Sequence, residues 1–230
     1  VFHRIDRLRT YPETRSAKEK EMKAEDVMRL GAVIPVIRID RIEDAVPMAR
    51  ALVAGGLRAL EITLRTPVAL EAMQRIMGEV PDAVVGAGTV RTAAQFDAVQ
   101  KAGVKFAVSP GLTRELGAAA RGAELALLPG VGSASEVMAA MDMGFDRLKL
   151  FPASEIGGPR LARALGGPFS EVRFCPTGGI SLATAPEWLA LPNIICVGGS
   201  WMLPADRITA GDWAAIEKLS AEAAALKRAG

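Results

Sequence analysis

From residue 23 onward the sequence repeats one unit: a short run rich in Val, Ile and Leu, followed by a longer stretch with helical spacing. Strands are expected at Val33–Arg38, Leu57–Thr63, Ala83–Ala87, Phe106–Ser109, Leu125–Leu128, Arg147–Leu150, Val172–Thr177 and Ile194–Val197. Helices are expected at Ile42–Ala54, Pro67–Met77, Thr92–Ala102, Thr113–Arg121, Ala134–Met143, Pro159–Leu165, Ala183–Leu189 and Asp212–Lys227, with one more, about Ala24–Leu30, ahead of the first strand. End signals support several of these. Gly55–Gly56 suits a left-handed helix end. Gly103 and Gly144 stop helices before the next strand, and Pro67 and Pro159 fit a first helical turn. Thr92 and Asp212 have oxygens that can accept from the first free N–H groups of a helix.

Strands that alternate with helices pair in parallel, because a parallel connection needs the length of a crossover helix. Eight such units point to a closed (β/α)8 TIM barrel in a single α/β domain, residues 23–230, with an open doubly wound sheet as the alternative. Half of the residues are hydrophobic, yet aromatics make up only 5% of the chain. Ala, Val, Leu and Ile therefore fill the core, as strands buried on both faces require.

The balance of 28 basic and 26 acidic residues gives a net charge of +2 and no electrostatic case for nucleic acid or a membrane surface. No apolar run is long enough to span a bilayer. Cys175 and Cys196 sit in apolar strand runs and read as buried thiols, which favours the cytoplasm. His3 is the single histidine, so the repeating body has no histidine ligand for a metal and no histidine base. Acid–base work there falls to carboxylates, lysines or water. Residues 1–22 mix Arg4, Arg7, Arg9 and Arg15 with Asp6, Glu13, Glu19 and Glu21. They read as a charged, flexible extension rather than a secretory or transit segment.

In a barrel of this kind, functional groups gather at the C-terminal ends of the strands. Glu61, Thr63 and Arg65 lie at and beyond the end of the second strand, in LEITLRTP, on one face if the chain stays extended. They bring an acid and a base to the mouth, or else form an ion pair on the rim. Lys149 lies in RLKLFPA among Leu148, Leu150 and Phe151. An amine in such surroundings is cheaper when neutral, and a neutral lysine is the nucleophile that adds to a ketone. The alternative is a structural lysine paired with a carboxylate. Thr89 in VVGAGTV and Thr177 in FCPTGGI place hydroxyls at the mouth, and Gly86 and Gly88 allow close backbone approach. Paired glycines in the last two strand–helix loops, Gly178–Gly179 and Gly198–Gly199 with Ser200, suit an amide-lined phosphate site. Two tight turns would use the same residues.

LEITLRTP, GAGTV, FAVSPGLT, LKLFPA, RFCPTGGI and VGGSW, in this order and spacing over about residues 24–228, resemble the KDPG/KHG aldolase family. The resemblance implies a (β/α)8 barrel, a homotrimer and a class I mechanism without cofactor or metal. Its substrates would be 2-keto-3-deoxy-6-phosphogluconate and 4-hydroxy-2-oxoglutarate. Residue by residue, it implies that Lys149 forms the Schiff base and Glu61 is the general acid/base. Arg65 would hold the substrate carboxylate with Thr89 beside it, and Thr177 would contact the pyruvyl portion. Pro110 and Phe151 would pack around the site, and Gly178, Gly179, Gly199 and Ser200 would take the phosphate. A sugar-phosphate epimerase or isomerase would also explain the glycine loops but has no need of Lys149 opposite Glu61 and Arg65. A non-catalytic barrel subunit would tolerate a damaged mouth, and here every candidate group is present.

Overall fold

The computed structural model describes residues 22–228. The expected charged extension up to Glu21 and the lone His3 lie outside the described residues. Met22 lies inside them and packs, half-buried, against the interior cluster. Nine short strands and ten α-helices follow among the described residues. They are α1 (Ala24–Arg29), β1 (Val33–Ile37), α2 (Ala45–Ala54), β2 (Ala59–Thr63), α3 (Ala69–Glu79), β3 (Val84–Gly88), α4 (Ala93–Lys101), β4 (Phe106–Val108), α5 (Arg114–Ala120), β5 (Ala126–Leu128), β6 (Gly130–Val131), α6 (Ala134–Asp142), β7 (Arg147–Leu150), α7 (Gly158–Leu165), β8 (Arg173–Pro176), α8 (Ala185–Leu189), β9 (Val197–Gly199), α9 (Ala205–Ala210) and α10 (Trp213–Ala224).

The architecture is α/β with a curled parallel sheet. One sheet runs β5-β4-β3-β2-β1-β9 and the other β6-β7-β8, with parallel pairing throughout. Only Pro129 separates β5 from β6. Lacking an N–H, proline cannot donate to a ladder, but its carbonyl accepts from Lys149 N–H at 2.9 Å. Bridges Phe174↔Ile194 and Thr177↔Gly198 connect β8 to the chain entering β9. All five residues of β2 are buried, as a strand covered on both faces demands. Leu60 and Ile62 point to the helices, each contributing about 1.5–3 kcal/mol by leaving water. Ala59 and Glu61 point to the interior of the curl, where Ile34, Phe106, Val108, Leu128, Cys175 and Cys196 also meet. Both cysteines are free and buried, as their apolar runs suggested.

Helix α1 covers the N-terminal end of the curl. Val27 and Met28 enter the interior cluster, and Glu25 receives Nε and a terminal nitrogen of Arg147 at 2.9 and 2.8 Å. Thr92 and Asp212 cap α4 and α10 as expected, and Thr113 and Ser133 do the same for α5 and α6. Gly56, Gly103 and Gly144 take positive φ at the helix ends where such residues were expected. A Cβ on Gly55 would sit 2.4 Å from Ser220 Cβ, so this glycine lets α2 approach α10.

Three expectations are corrected. Pro67 lies in the turn before α3, where the Thr66 hydroxyl donates to Ile39 C=O at 2.6 Å, rather than in the first turn of that helix. The last strand begins at Val197, not Ile194, because its pairing with β1 starts at Val33↔Val197. Gly199 therefore sits inside a strand instead of a loop. Helix α9, with no buried residue, was not foreseen.

Candidate active site

Lys149 and Glu61 meet inside the curl at the C-terminal end. Lys149 lies on β7 between Gly130 of β6 and Cys175 of β8. Its Nζ is 3.3 Å from Glu61 Oε1, and the two side chains are 6% and 4% exposed. Glu61 is therefore no rim residue, and its partner is Lys149 rather than Arg65. The ring of Phe151 lies 5.2 Å from the amine, a stabilising face for any positive charge there. A lysine held against a carboxylate in a buried site can exchange a proton across one hydrogen bond, an arrangement that could serve a nucleophile and a base.

Glycines shape this chamber, by leaving volume rather than by bending the chain. A Cβ on Gly88 would lie 2.4 Å from Glu61 Oε1, and one on Gly198 would lie 2.3 Å from Thr177 Oγ1. Gly86 likewise admits the ring of Phe106. The expected backbone approach at Gly86 and Gly88 is thus an approach of neighbouring side chains. A Cβ on Gly130 would lie 2.3 Å from the Pro110 backbone, and neither Gly130 nor Gly198 was singled out from the sequence for this purpose. A glycine on the inner face of a strand leaves no periodic signal.

Arg65 reaches the mouth by a turn. The alternation that holds for Glu61 and Thr63 ends with β2, where Thr63 donates its hydroxyl to Ile37 C=O at 2.9 Å. Arg65 N–H then donates to Thr63 C=O at 2.8 Å, closing a three-residue turn. The exposed Arg65 side chain donates Nε–H to Thr89 Oγ1 at 3.2 Å. Thr177, buried just past β8, bonds Cys175 C=O at 3.4 Å through its hydroxyl.

Beyond Thr177, Gly178 and Gly179 take φ of +104° and +71°, a conformation that side chains disfavour. Gly179 is exposed, and the space beside its Cα holds Ser154, whose N–H donates to Gly178 C=O at 3.1 Å. Ser154 is a neighbour of the glycine loop that the sequence reading missed, since nothing in its spacing marks it. Ser200 is exposed after β9, while Gly199 is buried where a Cβ would strike the Trp201 ring. Pro110 and Phe151, both half-buried, share a cavity of about 380 Å³ with Gly132, Ser133, Glu136 and Ile156. This cavity was also unforeseen, because three separate strand–helix connections build it.

The sequence and its fold have counterparts among known proteins. Residues 24–219 match the family model of KDPG and KHG aldolase. The 2-dehydro-3-deoxy-phosphogluconate aldolase of Zymomonas mobilis is 55% identical over 205 residues, covering 89% of this chain and 97% of the relative. The crystal structure of the 2-keto-3-deoxy-6-phosphogluconate aldolase of Zymomonas mobilis ZM4 with 3-phosphoglycerate superimposes with a TM-score of 0.87 at 54% identity, covering 91% of this chain and 98% of that one. The KDPG aldolase of Legionella pneumophila, with pyruvate captured at low pH as a covalent carbinolamine intermediate, gives 0.87 at 46% identity, covering 88% and 98%. With this coverage along nearly its whole described length, the chain belongs to the KDPG and KHG aldolase family.

Proposed function

We propose that the protein is a class I aldolase that cleaves 2-keto-3-deoxy-6-phosphogluconate into pyruvate and glyceraldehyde 3-phosphate. The observation that carries this reading is the buried pair of Lys149 and Glu61 at 3.3 Å. An epimerase, an isomerase or a non-catalytic subunit has no use for it. 4-Hydroxy-2-oxoglutarate, which lacks the phosphate, is a second substrate of the same centre.

The parts act in sequence. Neutral Lys149 adds through Nζ to the C2 ketone, and the carbinolamine loses water to give an iminium. Glu61, through a water, takes the proton of the C4 hydroxyl. The C3–C4 bond breaks, its electron pair flowing to the iminium nitrogen, and the C4 oxygen becomes the aldehyde of glyceraldehyde 3-phosphate. The remaining enamine takes a proton at C3, and hydrolysis frees pyruvate and Lys149. Arg65 offers a planar fork to the substrate carboxylate, with Thr89 beside it. Thr177 contacts the pyruvyl portion, and Pro110 and Phe151 wall the site. Gly178, Gly179, Gly199 and Ser200 receive the phosphate. No cofactor enters any step.

The two sheets form one eight-stranded (β/α)8 barrel, with β5 and β6 as one interrupted strand and α1 as the extra N-terminal helix. The bridges between β8 and the run into β9 support this closure. Residues 23–230 constitute this one domain, and deleting residues 1–21 is expected to leave turnover nearly unchanged. The family resemblance supports a homotrimer acting in the cytoplasm. No described helix is long and apolar enough to cross a membrane. The test is a coupled assay for pyruvate release from 2-keto-3-deoxy-6-phosphogluconate. Pyruvate formed at a rate that Lys149→Ala abolishes supports the reading, and no pyruvate from the wild type rejects it.

A further inference from the structure

We propose that Thr89 is a positioning residue whose strained backbone sets the guanidinium of Arg65, so that some stability is given up to hold a 2-oxo carboxylate. The inference rests on Arg65 being the carboxylate-binding group of the aldolase site. Among the described residues Thr89 is the one non-glycine residue with positive φ, at +61°. A β-branched residue in that region is an outlier, and it persists only where the surroundings over-determine it.

Those surroundings are two hydrogen bonds that bracket the residue. Gly88 C=O accepts from Leu64 N–H at 2.9 Å, and Val90 N–H donates to Val108 C=O at 3.1 Å. The chain is pinned to the exit of β2 before Thr89 and to the end of β4 after it, so it must change direction within one residue. The strain has a geometric result. Gly88 faces the interior, since a Cβ there would meet Glu61. An extended residue 89 would face the opposite way. In the left-handed conformation its Oγ1 instead accepts Nε–H of Arg65 at 3.2 Å.

With Nε engaged, the two terminal nitrogens of the fork are left for a carboxylate. The short turn that binds Arg65 N–H to Thr63 C=O fixes the other end of the residue. An exposed arginine otherwise loses rotamer freedom when substrate binds, and here that loss is taken on folding. A threonine that only touched substrate would need neither the strain nor the bond to Nε.

The test compares full-length wild type with Thr89→Gly, Thr89→Val and Thr89→Ser, by Tm without substrate and by KM and kcat for 2-keto-3-deoxy-6-phosphogluconate. Thr89→Gly relieves the backbone, so its Tm rises by about 2–4 °C. It also loses the acceptor, so KM rises roughly 5–30-fold, the effect of one good polar interaction, with a smaller change in kcat. Thr89→Val keeps the strain and loses the oxygen, giving the same rise in KM with no gain in Tm. Thr89→Ser keeps the oxygen and holds KM near the wild-type value. A Tm for Thr89→Gly at or below wild type overturns the strain, and a wild-type KM for Thr89→Val overturns the positioning. If the wild type itself forms no adduct with pyruvate, the aldolase reading falls, and the proposal falls with it, whatever the Tm values show.

Discussion

Strand β7 carries two inward cations two residues apart, and they live in different worlds. Arg147, at its N-terminal end, gives two nitrogens to Glu25 at 2.8 and 2.9 Å and a third to the carbonyls of Asp146 and Glu171 at 3.1 and 3.2 Å. Lys149, at the other end, holds Glu61 by one bond of 3.3 Å and is far more buried. A guanidinium cannot lose its proton in a protein, and its planar fork suits fixed pairing. It ties α1 across the end of the curled sheet that this helix closes. The Lys149 amine, held by one long bond, is less constrained, and in the proposed mechanism it is the group that adds to a ketone. Under the proposed function, the ends of one strand separate stability from chemistry, the division expected of a barrel.

Substitutions at the two pairs should part accordingly. The largest effect is expected from Lys149→Ala, which removes the electron sink and should abolish pyruvate release. Circular dichroism should show a folded protein, although Glu61 then loses its buried partner and Tm should fall. Glu61→Gln keeps the volume and removes the base, and stopped assays should find kcat down by about 10²–10⁴-fold, the usual worth of positioned proton transfer. A wild-type rate would make the Lys149–Glu61 pair as structural as the Arg147–Glu25 pair.

At the proposed phosphate end, Gly179→Asp brings a negative charge and a side chain that collides with Ser154. KM for 2-keto-3-deoxy-6-phosphogluconate should rise much more than KM for 4-hydroxy-2-oxoglutarate. Equal losses would mean that the collision alone matters.

The smallest effect belongs to the closed end. The Arg147 guanidinium first, and that of Arg29 second, hold the Glu25 carboxyl below its ordinary value of 4.5. A lowered carboxylate stabilises the fold above its unfolded pKa, and the contribution disappears as pH falls through the folded value. Glu25 is one-third exposed, so solvent screening limits the pair to roughly 0.2–1 kcal/mol. Glu25→Gln should therefore lower stability slightly at neutral pH in denaturant titrations, with the gap narrowing below pH 4.5, and leave kcat unchanged.

Periodicity alone made most of this fold legible. Arg147–Leu150 has the expected bounds to the residue, and the other strands shift at their ends. The last strand was set too early because Ile194, Ile195 and Cys196 carry the apolar signal, whereas pairing with β1 falls on Val197, Gly198 and Gly199. Glycine has low strand propensity and hides such pairing. Helix α9 is short and buries nothing, so it has no hydrophobic face to detect. In the site, Lys149 and Glu61 were legible because ionisable groups in apolar runs are conspicuous. That they pair with each other was not, since they lie 88 residues apart. The bend at Thr89, the room made by Gly130 and Gly198, and the Glu25–Arg147 tie across 122 residues belong to tertiary structure, which no local pattern encodes.

Of the two basic residues on β7's inner face, Lys149 is the proposed nucleophile. Incubation with pyruvate and sodium borohydride reduces any Schiff base to a stable secondary amine, which peptide mass mapping locates. A single adduct is expected on Lys149 in the wild type, retained at lower yield in Glu61→Gln and absent in Lys149→Ala. An adduct on another lysine, or none in the wild type, would contradict it.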